Sequence, residues 1–183
     1  MTTASGWAVW LTGLPASGKT TIAHAVQDAL WRQQVHSVIL DSDELRAILT
    51  PQATYTSQER DQFYDGVVRL AELLNRQQIN VLIAATGHRR IYRQMAREQL
   101  PRFYEIWVRC PIDVCRQRDP KGLYARAMQQ KESTLPGAGV QYEPPLAPTL
   151  IIDAETQLPT AAAEQIIATC ALATGPVYKL PDR

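Results

Sequence analysis

Gly13, Leu14, Pro15, Ala16, Ser17, Gly18, Lys19, Thr20 and Thr21 follow directly on the apolar run Ala8-Val9-Trp10-Leu11. Two glycines, a lysine and a hydroxyl at these offsets fit G-x-x-x-x-G-K-[ST], a loop whose chemistry is holding phosphate. Glycine lets the backbone wrap closely enough for several N–H groups to converge on one anion, and a helix starting at the lysine adds the positive end of its dipole. Lys19 then carries a charge to the β and γ phosphates of a nucleoside triphosphate, and the Thr20 hydroxyl is a ligand for Mg²⁺. The expected nucleotide is ATP with Mg²⁺, because no Asn-Lys-x-Asp stretch is present to read a guanine edge.

A second group of reactive residues stands at 41–43, where Val38-Ile39-Leu40 runs straight into Asp41-Ser42-Asp43. In an extended chain residues i and i+2 point to the same side, so both carboxylates are expected to face one site. Ligands of open α/β sheets bind at the carboxyl ends of the strands, where the phosphate loop also lies. Asp41 is the expected partner of Thr20 in holding the metal, through water. Asp43 is the expected acceptor of a proton from a substrate hydroxyl. Asp43 is also placed to cap a helix over 44–49, which does not exclude catalysis. The third apolar run ends in Ala84-Ala85-Thr86, with no acid to rival this pair.

These side chains need a frame. Short apolar runs alternate with helical patterns, which predicts an α/β fold of three layers with a five-stranded, mainly parallel sheet between helices. Strands are expected at Ala8–Thr12, 35–40, 79–85, Phe103–Arg109 and 150–152. Helices are expected at 20–34, at 58–77 with Ser57 as cap, at 89–99, at Ile112–Arg118 and at 159–173. The run at 79–85 is continuously apolar and reads as an inner strand covered on both faces. Prolines and glycines punctuate 134–148, which is expected to be a mobile loop. The chain is 183 residues long, with no repeat or linker, and reads as one domain with a lid over 118–145 and a C-terminal tail over 175–183.

Composition excludes more than it selects. A net charge of +1 gives no global field for nucleic acid or membrane, and no apolar stretch is long enough to span a bilayer. The start of the chain lacks the basic flank of a signal peptide. The three cysteines, Cys110, Cys115 and Cys170, form no zinc spacing and no disulfide framework, so a soluble, reduced, cytoplasmic protein is expected. Fifteen arginines stand against four lysines, which suits bidentate capture of phosphate or sulfate. Arg89, Arg93 and Arg97 lie at i, i+4 and i+8. That is the spacing of an exposed helical stripe, or of charges turned to the ligand crevice. His24 and His36 read as a core-edge and a surface residue, and His88 stands near the crevice.

GLPASGKTT, DSDELR at 41–46, CRQRDPKGLY at 115–124 and YEPPLAP at 142–148 together resemble the adenylyl-sulfate (APS) kinase family over about residues 5–155, and RDPKGLY is the specific part. The resemblance implies a P-loop kinase fold, often dimeric, that uses ATP to phosphorylate the ribose 3′-hydroxyl of adenylyl sulfate, giving PAPS for sulfate assimilation. It implies that Asp43 is the catalytic base, that Arg46, Arg60 and Arg90 contact the acceptor, and that Tyr55 stacks on its adenine. It further implies that Lys121, Gly122 and Leu123 form a substrate-side loop and that Arg118 lies near the ATP base.

The sequence departs from the family pattern on the acceptor side. Where the family has Glu-Asn-x-Arg-Arg, this chain has Gln62-Phe63-Tyr64-Asp65-Gly66, and Leu135-Pro136-Gly137-Ala138-Gly139 replaces Phe-Thr-Gly-Ile-Asp. Ser-Pro-aromatic-Arg becomes Gly87-His88-Arg89-Arg90, and the glycine between the two aspartates is Ser42. Loss of one stacking ring weakens nucleotide binding by about 1–3 kcal/mol. Three other readings therefore accompany the leading one: the same chemistry on another hydroxylated small molecule, a non-catalytic nucleotide-binding domain, and a nucleic-acid 5′-hydroxyl kinase. The absence of a basic face disfavours the last.

Overall fold

The computed structural model describes residues 5–130 and 132–174; the tail expected at 175–183 lies outside them. The first strand, β1 (Ala8–Thr12), is buried along its whole length. Alternation sends Trp7, Val9 and Leu11 into one core and Ala8 and Trp10 into the other, which accounts for a run with no polar residue. The remaining strands are β2 (Ser37–Asp41), β3 (Asn80–Ala84), β4 (Phe103–Arg109) and β5 (Leu150–Asp153), and every pairing is parallel. Their order is β2-β3-β1-β4-β5, so β1 is central and β3 is an inner strand beside it.

Helices cover both faces, as the pattern predicts. On one side α1 (Lys19–Trp31) packs against α7 (Pro159–Thr169), with α5 (Ile112–Arg118) and α6 (Leu123–Gln129) near the phosphate loop. On the other side lie α2 (Ser42–Leu49), α3 (Ser57–Arg76) and α4 (Arg90–Gln99). Connections leave β1 toward β2 and β3 on one side and β4 and β5 on the other. The chain order therefore reverses at the carboxyl end of β1, where a crevice must open.

Several local expectations are corrected. The cap of α3 is Thr56, not Ser57; its Oγ1 accepts from the Glu59 N–H at 3.3 Å. Asp43 does not cap α2. That position belongs to Asp41, whose carboxylate accepts from the Asp43 N–H at 2.8 Å, so β2 passes into α2 without a loop. The closing helix ends at Thr169, and a 3₁₀ turn, Leu172–Thr174, follows. Helix α6 was not expected. Gly122 precedes it at φ 62°, and the Asp119 carboxylate accepts from the N–H groups of Leu123 and Ala125 at 2.7 and 3.0 Å.

The exposed stripe of arginines holds at Arg89 and Arg97 and fails at Arg93. Arg93 is buried, bonded through Nε to Glu105 at 2.6 Å, and Arg97 meets the other oxygen of Glu105 at 2.7 Å. Arg89 pairs with Asp61 at 3.1 Å on the surface. His24 is exposed rather than at a core edge, and His36 is half-buried with its ring edge-on to Trp31. Cys110, Cys115 and Cys170 are free and buried. No helix among the described residues is long and apolar enough to cross a membrane.

Candidate active site

The carboxyl ends of β1, β2 and β3 open into a cavity of about 940 Å³. Its floor is the loop between β1 and α1. Gly18 closes that loop at φ 101°, a conformation side chains rarely adopt, and the space above its Cα is open. Lys19 folds back over the loop and donates to the carbonyls of Gly13 at 3.1 Å and Leu14 at 2.8 Å. Burial pushes its pKa down to about 8. Ser17 Oγ is buried in the same cradle without a protein partner. A cradle with an orphaned hydroxyl, open space over a glycine and a buried ammonium fits a phosphate group.

Asp41 is the junction of the site. Its Oδ2 accepts from Thr20 Oγ1 at 2.6 Å while its Oδ1 caps α2. Asp43 therefore sits on the first turn of a helix, not on an extended strand. The extended geometry expected for the pair does not form, although both carboxylates line the cavity. Asp43 reaches across the opening and forms an ion pair with Lys121, which holds the lysine pKa above its usual value. Three elements distant in sequence meet here: the phosphate loop, the β2–α2 junction and the turn before α6.

One turn beyond Asp43, Arg46 also lines the cavity, as do Tyr55, Arg60, Tyr64, Lys121, Leu123 and Leu135. Arg60 is spent on two carbonyls: Nε donates to Tyr55 at 3.0 Å and a terminal nitrogen donates to Thr134 at 2.6 Å, tying α3 to the 133–136 segment. Arg118 lines the far end and donates to the Ala154 carbonyl at 2.8 Å, beside a wall of residues 154–159 that sequence reasoning did not single out. Glu59 was missed as well, although the Thr56-x-x-Glu59 spacing is that of a capping box. Its carboxylate takes Arg46 on one oxygen and the N–H groups of Thr54 and Tyr55 on the other.

Arg90 is a correction. It is exposed and does not line the cavity; Glu143 accepts from its backbone N–H at 2.7 Å and the Pro144 carbonyl from its Nε at 2.8 Å. Asp65 and Gly66 also stand away from the cavity, and Asp65 pairs with Arg69 at 2.6 Å on the surface of α3. At Gly87 the cause is packing: its φ is 49°, and an added Cβ would lie 2.9 Å from the Trp10 indole.

The model of the adenylylsulphate kinase family matches residues 5–153, which span the phosphate loop, the Asp41–Asp43 junction and the Lys121 turn. The chain belongs to the adenylylsulphate kinase family. It is 34% identical over 161 residues to the adenylyl-sulfate kinase of Pseudomonas aeruginosa, covering 87% of this chain and 82% of that relative. To the adenylyl-sulfate kinase of Rippkaea orientalis it is 36% identical over 155 residues, covering 85% and 84%. Among solved structures, the APS kinase CysC of Mycobacterium tuberculosis in complex with AMPPNP and APS superposes with a TM-score of 0.86 at 28% identity, covering 92% of this chain and 99% of that one. The resemblance read from the motifs is thus the family of the chain, and the fold is the P-loop kinase fold expected for it.

His88, at a position where this kinase departs from the family pattern, carries a testable consequence. Burial, with the charges of Arg60, Arg89 and Arg93 outweighing that of Glu143, lowers its pKa from 6.5 to about 4. The folded state thus keeps the ring neutral while the unfolded chain protonates it. Stability supplied above pH 6.5 is lost as pH falls toward 4, about 2 kcal/mol of it by pH 5. Urea unfolding at pH 7 and pH 5 should show that loss in the wild type and a flatter response in His88→Gln.

Proposed function

We propose that this kinase transfers the γ-phosphoryl group of ATP to the ribose 3′-hydroxyl of adenylyl sulfate, releasing ADP and PAPS. The observation that carries the reading is the position of Asp43: one cavity holds it between the phosphate loop and the cationic turn at Lys121. In this reading the N–H groups of residues 13–20 surround the polyphosphate, with Thr21 continuing the first turn of α1. Lys19 exchanges the carbonyls of Gly13 and Leu14 for phosphate oxygens, and Arg118 lies by the ATP base.

Thr20 and Asp41 would hold Mg²⁺. Their hard oxygen donors, 2.6 Å apart, suit that ion, which keeps water and phosphate oxygens as its other ligands. Among the described residues no group of three His, Cys, Asp or Glu forms an all-protein cage. When bound, the metal offsets charge on the β and γ phosphates.

Asp43 orients the acceptor hydroxyl and takes its proton, leaving Lys121 as it does so. Arg46 and Lys121 complement the acceptor's anionic groups, Tyr55 offers a ring to its adenine, and Gly122 and Leu123 shape the turn beneath it. Arg60 acts from behind, through Tyr55 and Thr134. Closure of residues 118–145 excludes water, which would otherwise take the phosphoryl group. The test is ADP release from Mg·ATP with and without adenylyl sulfate. Stimulation by adenylyl sulfate, with PAPS formed in equal amount, is the expected result; ADP release indifferent to it would overturn the assignment.

A further inference from the structure

Arg46 is the cation on the same helix as Asp43, one turn away, and its guanidinium is enclosed on three sides. The Phe63 ring centroid lies 3.9 Å from its Cζ, the Tyr55 centroid 4.9 Å, and Glu59 Oε1 is 3.2 Å from its NH1. Phe63 is only 2% exposed, and the Arg46 side chain only 11%. Glu59 and Phe63 stand at i and i+4 on α3, so one helix face supplies both the carboxylate at the edge of the guanidinium and the ring at its face. A planar guanidinium stacks on aromatic faces, and the attraction rises as water is removed. Phe63 does not line the cavity, so it meets no acceptor directly.

We infer that Phe63 is a positioning residue for the acceptor: its ring holds the Arg46 guanidinium in the cavity, beside Asp43, in the orientation that forks an anion. The inference rests on the reading of the site as an acceptor site for adenylyl sulfate. An arginine on a flexible stem loses rotamer freedom when it binds, and a guanidinium stacked in advance has already lost it. The ring therefore acts on acceptor affinity and leaves nucleotide affinity and the transfer step alone.

The experiment replaces Phe63 by mono-, di- and trifluorophenylalanine, which keep the shape of the side chain and drain its face of negative potential, and by Leu. Each protein is assayed for the KM of adenylyl sulfate, the KM of ATP and kcat. The Arg46 Nε–Hε resonance, assigned by its loss in Arg46→Lys, reports stacking independently of turnover. Expected are a stepwise rise in the KM of adenylyl sulfate with fluorination, reaching about five- to tenfold in the trifluoro protein and in Phe63→Leu, an unchanged kcat and KM for ATP, and an Arg46 resonance that loses its ring-current shift in Phe63→Leu. A KM that stays flat across the fluorinated series overturns the inference, and so does a rise shared equally by ATP. If Phe63→Leu does not fold, the fluorinated proteins decide alone. A wild type that shows no turnover with adenylyl sulfate overturns the functional reading and the acceptor half of this inference, while the Arg46 resonance still decides whether the ring holds the guanidinium.

Discussion

Asp43→Asn lowers kcat with adenylyl sulfate about a thousandfold, within the range general-base catalysis supplies, and leaves the binding of an ATP analogue unchanged. The expectation follows from a division of labour between two neighbouring carboxylates. Asp41 is buried and committed on both oxygens, to Thr20 and to the first turn of α2. Asp43 is on the cavity side, and its ion-pair partner among the described residues, Lys121, comes from a separate turn that can exchange it for substrate. Asn keeps the size of the side chain and the helix start but accepts no proton. Because the Asp43–Lys121 pair is more than half exposed, its loss leaves thermal stability nearly unaltered. A loss of less than tenfold in kcat, measured at saturating ATP and acceptor, would remove Asp43 from the role of base.

Arg93→Met, in contrast, should cost about 3–5 kcal/mol of folding stability, the penalty for stripping one partner from a buried ion pair. Arg93 is 1% exposed and serves four acceptors. These are Glu105 Oε1 at 2.6 Å, the Glu143 carbonyl at 2.6 Å, the Arg89 carbonyl at 3.3 Å and the Gly87 carbonyl. Methionine fills much of the volume but leaves Glu105 with Arg97 alone and strands the Gly87 and Glu143 carbonyls. For a chain of this length the loss corresponds to a fall in Tm of about 10 °C. The double variant Arg93→Met, Glu105→Leu should recover part of it, since removing both charges removes the uncompensated one. A single variant within about 1 kcal/mol of wild type would show that Arg97 suffices for Glu105.

Much of the site is legible in the chain because its determinants are local. The phosphate loop, the strand before it and the helix after it are contiguous, and backbone geometry alone brings Gly18, Lys19 and Thr20 to one end of β1. The five strands are legible as short, mostly apolar runs between helical patterns, though only β1 and β3 are buried along their whole length. Asp41 and Asp43 are read as a pair from their spacing, yet the reason they share a cavity differs. A helix begins at Ser42, because the Asp41 carboxylate satisfies an N–H that an extended chain would leave to a neighbouring strand.

What only the tertiary structure decided are the partnerships across distance. Helical spacing cannot say which way Arg93 faces, and Glu105, twelve residues away on β4, turns it inward. Arg90 matches a motif by position, but residues 143–144 hold it outside the cavity. Gly87 looks like a lost side chain until Trp10 is found in the space. Glu59 and Phe63 acquire meaning only when α2 lays Arg46 against α3. The sequence by itself determined the phosphate loop, the fold class and the family, since these rest on spacing along the chain. The orientation of each charged side chain depended on which opposite charge, carbonyl or ring the fold set against it, and spacing does not record that.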